Sequence, residues 1–200
     1  MKFIKLFSIL SIFTLALTSC SDNDVIPEQI HEEEVITTMN VVLTENGTNN
    51  TVTLKSEDLD GDGGDEPKIT VDGTLKANTT YNGVITLLNE TEEEPENITE
   101  EVAEEADEHQ FFYSATDITS EFNYAGDNDS NGNPVGIEFT IQTGEAGEGT
   151  YVITLKHEPS KSADGVKIGD ITNSGGSTDF EAVFPIIIEA QALQVIKEIK

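Results

Sequence analysis

A twelve-residue segment in the second half of the chain has the spacing of a calcium-binding loop. Oxygen-bearing residues stand at positions one, three, five and twelve, with glycine at position six: Asp127, Asp129, Asn131, Glu138 and Gly132. This spacing directs alternate oxygens toward one centre, and the glycine permits a sharp turn. Pro134 departs from the pattern at position eight, and the flanks read as strands instead of helices. The segment therefore predicts either a calcium site or a long polar hairpin connection.

A second acidic segment repeats the first half of that pattern. Asp58, Asp60 and Asp62 alternate with other residues, but the twelfth position is Ile69. A carboxylate from the neighbouring Asp65-Glu66 pair could stand in as a ligand. The alternative is an acidic turn between two strands, which this composition also favours.

Two histidines lie where strand alternation turns them toward the core. In a strand, His109 would lie on the same face as Phe111, and His157 on the same face as Leu155. Acidic residues flank both histidines, Glu158 among them. Histidine with carboxylate is a ligand set suited to zinc or a similar ion. A histidine at the edge of the core that hydrogen-bonds a carbonyl or a carboxylate is the alternative.

The charge of the chain limits its partners. There are 39 acidic and 10 basic residues, which gives a formal net charge of -29, and there is no arginine. Such a surface repels nucleic acid, so we expect no nucleic-acid binding. It favours cations or a protein with a basic patch, although acidic residues also serve simply to keep an exported domain soluble.

Signatures of catalysis are missing from the sequence. It has no Gly-x-Ser-x-Gly turn, no His-Glu-x-x-His pair and no glycine-rich loop followed by lysine. Paired carboxylates leave a hydrolase as an alternative, but a sugar site usually has aromatic platforms, and the chain has no tryptophan. We therefore expect a protein that is not an enzyme.

Short runs with apolar residues at every second position predict strands that hold these side chains in place. Glycine, asparagine and aspartate separate the runs, which predicts an all-β, antiparallel, immunoglobulin-like β-sandwich. A barrel is the alternative. The predicted strands are Val35–Thr44, Thr51–Ser56, Lys68–Asp72, Tyr81–Leu88, His109–Ala115, Phe122–Ala125, Ile137–Thr143, Thr150–His157 and Phe180–Ile188.

One acidic segment interrupts these strands. Eleven of the nineteen residues from Glu90 to Glu108 are acidic, which breaks the alternation typical of the strands. A short helix from Asn97 to Asp107, capped by Asn97, and a solvated loop are both compatible with the sequence.

Strands that alternate up and down would gather the acidic connections at one end of the domain. Connections 57–67, 90–108 and 126–136 would then lie beside His109 and His157, and we call this predicted end the acidic pole. The opposite end would carry the plainer turns Asn46–Asn50 and Gly144–Gly149.

The N-terminus has the layout of an export signal. Lys2 and Lys5 precede an apolar stretch that is too short to span a bilayer comfortably. The stretch ends in Leu17-Thr18-Ser19-Cys20, which resembles the lipobox of bacterial lipoproteins. That resemblance implies a leader over 1–19, acylation of Cys20 with fatty acids such as palmitate, and durable attachment to a membrane. A plain secretory signal followed by a free thiol is the alternative.

Residues 20–33 then form a predicted tether, and 34–200 a single domain. The acidic residues directly after Cys20 resemble the surface-export signal of Bacteroidota lipoproteins, which implies attachment to the outer membrane.

Several stretches together resemble small flavobacterial lipoproteins without an assigned activity. They include Glu32 to Thr38, Glu57 to Gly64, Leu87 to Glu90, Asp107 to Phe112 and Lys156 to Pro159. Such proteins often carry the label "type 1 periplasmic binding fold superfamily". That fold needs alternating helices and parallel strands in a longer chain, and this sequence has neither pattern.

These features lead to one expectation with an alternative. We expect an outer-membrane lipoprotein that binds divalent cations, calcium or zinc, at its acidic pole, and that delivers them to, or docks on, an outer-membrane transporter. The alternative is a structural or adhesion module whose acidic loops contact another protein.

Overall fold

The protein is an all-β sandwich in a computed structural model that describes residues 34–60, 64–91, 93–126 and 128–191. The predicted leader, Cys20 and the tether to residue 33 lie outside these ranges, as do Asp62, Asp127 and residues 192–200. Within the described ranges, no helix has the length and apolarity needed to span a bilayer.

Ten strands and one α-helix make up the described chain, together with two short 3-10 turns at Val166–Ile168 and Ile171–Asn173. The strands are β1 (Thr38–Glu45), β2 (Thr51–Glu57), β3 (Lys68–Asp72), β4 (Leu75–Lys76), β5 (Thr80–Leu88), β6 (His109–Thr116), β7 (Ser120–Ala125), β8 (Glu138–Thr143), β9 (Gly147–His157) and β10 (Ser177–Glu189). The helix α1 is Ile98–Glu104.

The strands form two sheets. One has six strands in the order β3-β2-β1-β5-β8-β7, and the other has four in the order β4-β10-β9-β6. Neighbours are antiparallel except β4 and β10, which pair in parallel over two residues. The predicted sandwich is confirmed, and each predicted strand is present with its ends shifted by a few residues. Only β4 was not predicted, because two residues are too few to show an alternating pattern.

The core lies between the two sheets and follows the alternation of the strands. In β10, Ala182, Phe184, Ile186 and Ile188 are buried, while the residues between them are exposed. The ring of Phe139 on β8 stacks on that of Tyr113 on β6, with centroids 4.3 Å apart, and thereby joins the six-stranded sheet to the four-stranded one.

The acidic segment forms the short helix that was one of its two predicted structures. Helix α1 ends earlier than predicted, at Glu104, and buries Ile98 and Val102. Asn97 precedes the helix but makes no side-chain cap; its Nδ2 donates to Glu100 Oε1 instead, at 2.9 Å. Thr99 Oγ1 accepts a hydrogen bond from the backbone N–H of Leu87, at 2.7 Å, which holds the helix against the end of β5.

The acidic pole is confirmed by the strand register. Thr38 at the start of β1 lies opposite Glu57 and Leu88, so the connections after β2 and β5 leave from the same end. At that end His109 pairs with His157, and the backbone N–H of Phe111 donates to Val135 O in the connection before β8, at 2.7 Å. The opposite end carries the turns after β1 and β8, as the alternation predicted.

Replacing Gly83 with alanine tests the packing beneath Phe139. A Cβ at Gly83 would lie 2.4 Å from the Phe139 ring, whereas a Cβ at Gly147 would meet only Ile118, at 3.4 Å. We expect Gly83→Ala to lower the free energy of unfolding by about 1–3 kcal/mol through overpacking. Gly147→Ala, the matched control, should leave it within about 0.5 kcal/mol. Urea denaturation measures both, and equal stability of the two variants would contradict this packing.

Candidate metal centre

The centre of the acidic pole is a pair of stacked histidines. His109 begins β6 and His157 ends β9, and the two are direct partners in the antiparallel register. Their rings lie 4.8 Å apart at an interplanar angle of 13°. Both residues are buried, as the parity of their strands predicted.

A backbone carbonyl orients the first of these rings. Nδ1 of His109 lies 3.3 Å from the carbonyl oxygen of Glu105, just beyond helix α1. A carbonyl only accepts, so Nδ1 donates, and in the neutral ring Nε2 is left with its lone pair. A hydrogen bond to the far nitrogen is the usual way in which a protein orients a metal-binding histidine.

Asp179 joins the pair because of a β-bulge. The register of β10 against β9 shifts between Thr178 and Phe180, which makes Asp179 the extra residue. Bulges redirect side chains, and the Asp179 side chain is only 1% exposed. Its Oδ2 lies 3.6 Å from Nε2 of His109, and its Oδ1 lies 3.8 Å from Nδ1 of His157.

Glu34 completes the group from the segment that leads into β1. Its Oε1 lies 3.1 Å from Nε2 of His109, and its side chain is buried. That approach lacks the geometry of a hydrogen bond, and within the described residues neither His109 Nε2 nor Glu34 Oε2 has a hydrogen-bond partner. Two buried polar atoms of the group therefore lack a hydrogen-bond partner among the described residues, which is costly unless a cation is bound.

The distances in this group fit a metal ion. Each of Glu34, His109, His157 and Asp179 offers one ligand atom, and these atoms all lie within 4.8 Å of one another. A tetrahedral ion with bonds of about 2.1 Å separates its ligand atoms by about 3.4 Å. The three contacts given above, from 3.1 to 3.8 Å, lie close to that value. The group can therefore hold a metal ion.

The surroundings of the group are also negative. Burial raises the pKa of the nearby Glu101 carboxyl, and the charges of Glu96 and Glu34 raise it further. Burial and neighbouring carboxylates therefore both oppose the ionisation of Glu101, and the contribution of the carboxylates indicates a local field that favours a cation.

Comparison of the chain with protein families, with curated proteins and with solved structures finds no match. The geometry of the site is therefore the basis for assigning a function.

The predicted calcium loop does not gather its oxygens at one centre in its described part. Asp129 is buried, and its Oδ1 accepts from the backbone N–H groups of Asn131 and Asn133, at 2.8 and 2.7 Å. Its Oδ2 lies 3.4 Å from Nζ of Lys161. The lysine ammonium thus supplies the positive charge that calcium would bring. Asp127 lies outside the described residues.

The other predicted ligands also lie apart. Glu138 is exposed on β8, and Asn131 is exposed in the loop. Asp60 Oδ2 accepts from the backbone N–H of Asp65 at 3.0 Å, and Asp58 donates its own N–H to Thr37 O at 2.7 Å. Asp62 lies outside the described residues, so the half-loop and the acidic turn both stay predictions for this segment. Of the predicted ligands, the structure brings His157 together with His109 in one group and with Glu158 in another.

Two residues of the buried group were missed by sequence reasoning. Glu34 is the last of three consecutive glutamates, and nothing in the sequence separates it from the other two. Asp179 has the parity of the outward residue Glu181, so simple alternation points it away from the core. The Gly175-Gly176 pair just before β10 was the one hint that this strand begins irregularly.

Replacing Lys161 with methionine tests its role as an internal counterion. Lys161 is 5% exposed, and its Nζ also donates to the carbonyl oxygens of Ala106 and Pro134. Burial lowers its pKa, although Asp129 acts in the opposite direction. Lys161→Met leaves the Asp129 carboxylate buried without its cation and should lower the free energy of unfolding by about 3 kcal/mol. The exposed Lys167→Met is the control, and equal unfolding midpoints in urea would contradict this role.

Proposed function

We propose that this protein is a lipid-anchored, exported binding module that holds a divalent transition-metal ion, zinc or a similar ion, at His109, His157, Asp179 and Glu34. The observation that carries the proposal is the convergence of two histidines and two carboxylates, whose side chains are at most 8% exposed, within 4.8 Å of one another. Two neutral imidazoles and two carboxylates have a net charge of about -2, which a divalent ion neutralises.

The ligand types favour zinc over calcium. Calcium takes six to eight oxygen ligands and does not use imidazole nitrogen. Zinc and its neighbours in the first transition row accept imidazole and carboxylate together, commonly with four ligands. The buried group supplies four such residues, and the far nitrogen of His109 has the carbonyl partner that zinc ligands usually have.

The cellular location in this proposal comes from the sequence. The Leu17-Thr18-Ser19-Cys20 stretch supports a lipid anchor, and the acidic residues after Cys20 support the outer membrane. An outer-membrane transporter that receives the ion, and the absence of catalysis, stay predictions.

Calorimetric titration of the metal-free protein with zinc and with calcium tests the metal site. We expect one zinc ion per chain, bound with micromolar affinity or tighter, and much weaker binding of calcium. His109→Gln and Asp179→Asn each remove one ligand, so each should weaken zinc binding by at least about tenfold. The third histidine offers a matched control, His31→Gln, which should leave zinc binding unchanged.

Circular dichroism of the two site variants separates loss of a ligand from loss of the fold. Folded variants that bind zinc as tightly as the wild type would contradict the site. A wild-type protein that takes up zinc only weakly and without saturation would contradict the proposed function, and would favour the structural or adhesion module.

Replacing Cys20 with serine tests the lipid anchor. We expect the wild-type protein to incorporate labelled fatty acid and to sediment with membranes, because several acyl chains give durable attachment. Cys20→Ser should incorporate no label, whereas Ser19→Ala, which keeps a small residue at that position, should behave as the wild type. A Cys20→Ser protein that still carries the label would show that the cysteine is not the attachment point.

A further inference from the structure

A second group of possible ligands lies directly outside the buried one. Glu108, His157 and Glu158 also present ligand atoms that all lie within 4.8 Å of one another. Nε2 of His157 lies 3.6 Å from Glu108 Oε2, while its Nδ1 faces Asp179. The His157 ring therefore lies between the two groups and offers one nitrogen to each.

The backbone fixes the two outer glutamates at the end of the β6–β9 ladder. The N–H of Glu158 donates to the carbonyl oxygen of Glu108 at 2.6 Å, which continues the pairing one residue beyond the histidines. Glu158 has a φ of +48°, a left-handed conformation that is uncommon for glutamate and that ends β9 at this point. Both carboxylates are thus held by the same backbone pairing of β6 with β9 as the two histidines.

Exposure falls in steps from the outer group to the inner one. Glu158 is exposed, and the Glu108 side chain is 36% exposed. The His157 side chain is 8% exposed, and those of Asp179 and His109 are 1% and 0% exposed. A hydrated ion arriving from solvent therefore meets the outer carboxylates first, then His157, and the buried ligands last.

We propose that Glu108, His157 and Glu158 form an outer cation site through which the metal ion enters and leaves the buried site. This inference rests on the proposed function and adds the route by which its ion exchanges. The two outer carboxylates attract the hydrated divalent ion and replace part of its water. His157 then stays beside the ion as the outer carboxylates are exchanged for Asp179 and Glu34.

An outer site of this kind acts mainly on the rates of exchange and much less on the affinity of the inner site. It lowers the barrier between solvent and the buried position, so association and dissociation are accelerated together. Carboxylates that steer cations into a cleft raise association rates by about tenfold or more. A variant without the outer carboxylates should thus bind the metal ion slowly and release it slowly.

Stopped-flow measurement with zinc tests this on the intact protein, with a fluorescent zinc chelator reporting release. We expect Glu108→Gln with Glu158→Gln to slow zinc association and release by about tenfold each, while the equilibrium affinity stays within about threefold. Glu93→Gln with Glu94→Gln is the matched control, because it removes the same charge from exposed positions and should leave both rates nearly unchanged.

The other outcomes are distinguishable. Rates equal to those of the control pair would overturn the outer site and leave the buried site intact. Faster release with weaker affinity would also overturn it, because the two glutamates would then be ligands of the bound ion. Absence of saturable zinc binding by the wild type would remove both the proposed function and this inference.

Discussion

The register of β6, β9 and β10 is the constraint on which the acidic pole depends. Because His109 and His157 are direct partners, their rings stack at the end of the ladder and turn toward the interior. The bulge in β10 then directs Asp179 to the same point. A shift of one residue in any of these pairings would turn the side chains to the opposite face of the sheet, so the four side chains would no longer meet.

The energetics of buried charge distinguish the two carboxylate groups of the pole. Asp129 is neutralised from within the chain, since Lys161 and backbone N–H groups satisfy its oxygens. Burial raises the pKa of Asp129, but hydrogen bonds from Asn133 and Asn131, together with the charge of Lys161, outweigh burial and hold that pKa below its ordinary value. Glu34 and Asp179 lie beside two histidines instead. Buried carboxylates need a partner cation, and a metal ion fills that role in our account.

The alternation of apolar residues in the sequence was sufficient to predict the strands and two of the four residues of the buried group. The parity of the strands placed His109 and His157 on the core side, and counting strand directions placed them at the acidic pole. Asp179 escaped prediction because a bulge reverses parity locally and leaves little trace in the sequence. In the described part of the predicted calcium loop, Asp129 lies beside Lys161, 32 positions later in the numbering, and such long-range pairs follow only from the tertiary fold.

X-ray absorption at the zinc edge of the zinc-loaded protein tests the central claim most directly. The account predicts a first shell of about four nitrogen and oxygen atoms at about 2.0–2.1 Å, with the outer-shell scattering of two imidazole rings. A shell containing sulfur at about 2.3 Å would place the ion at Cys20. That result, or a shell of oxygens without imidazole, would contradict a site built on the His109–His157 pair.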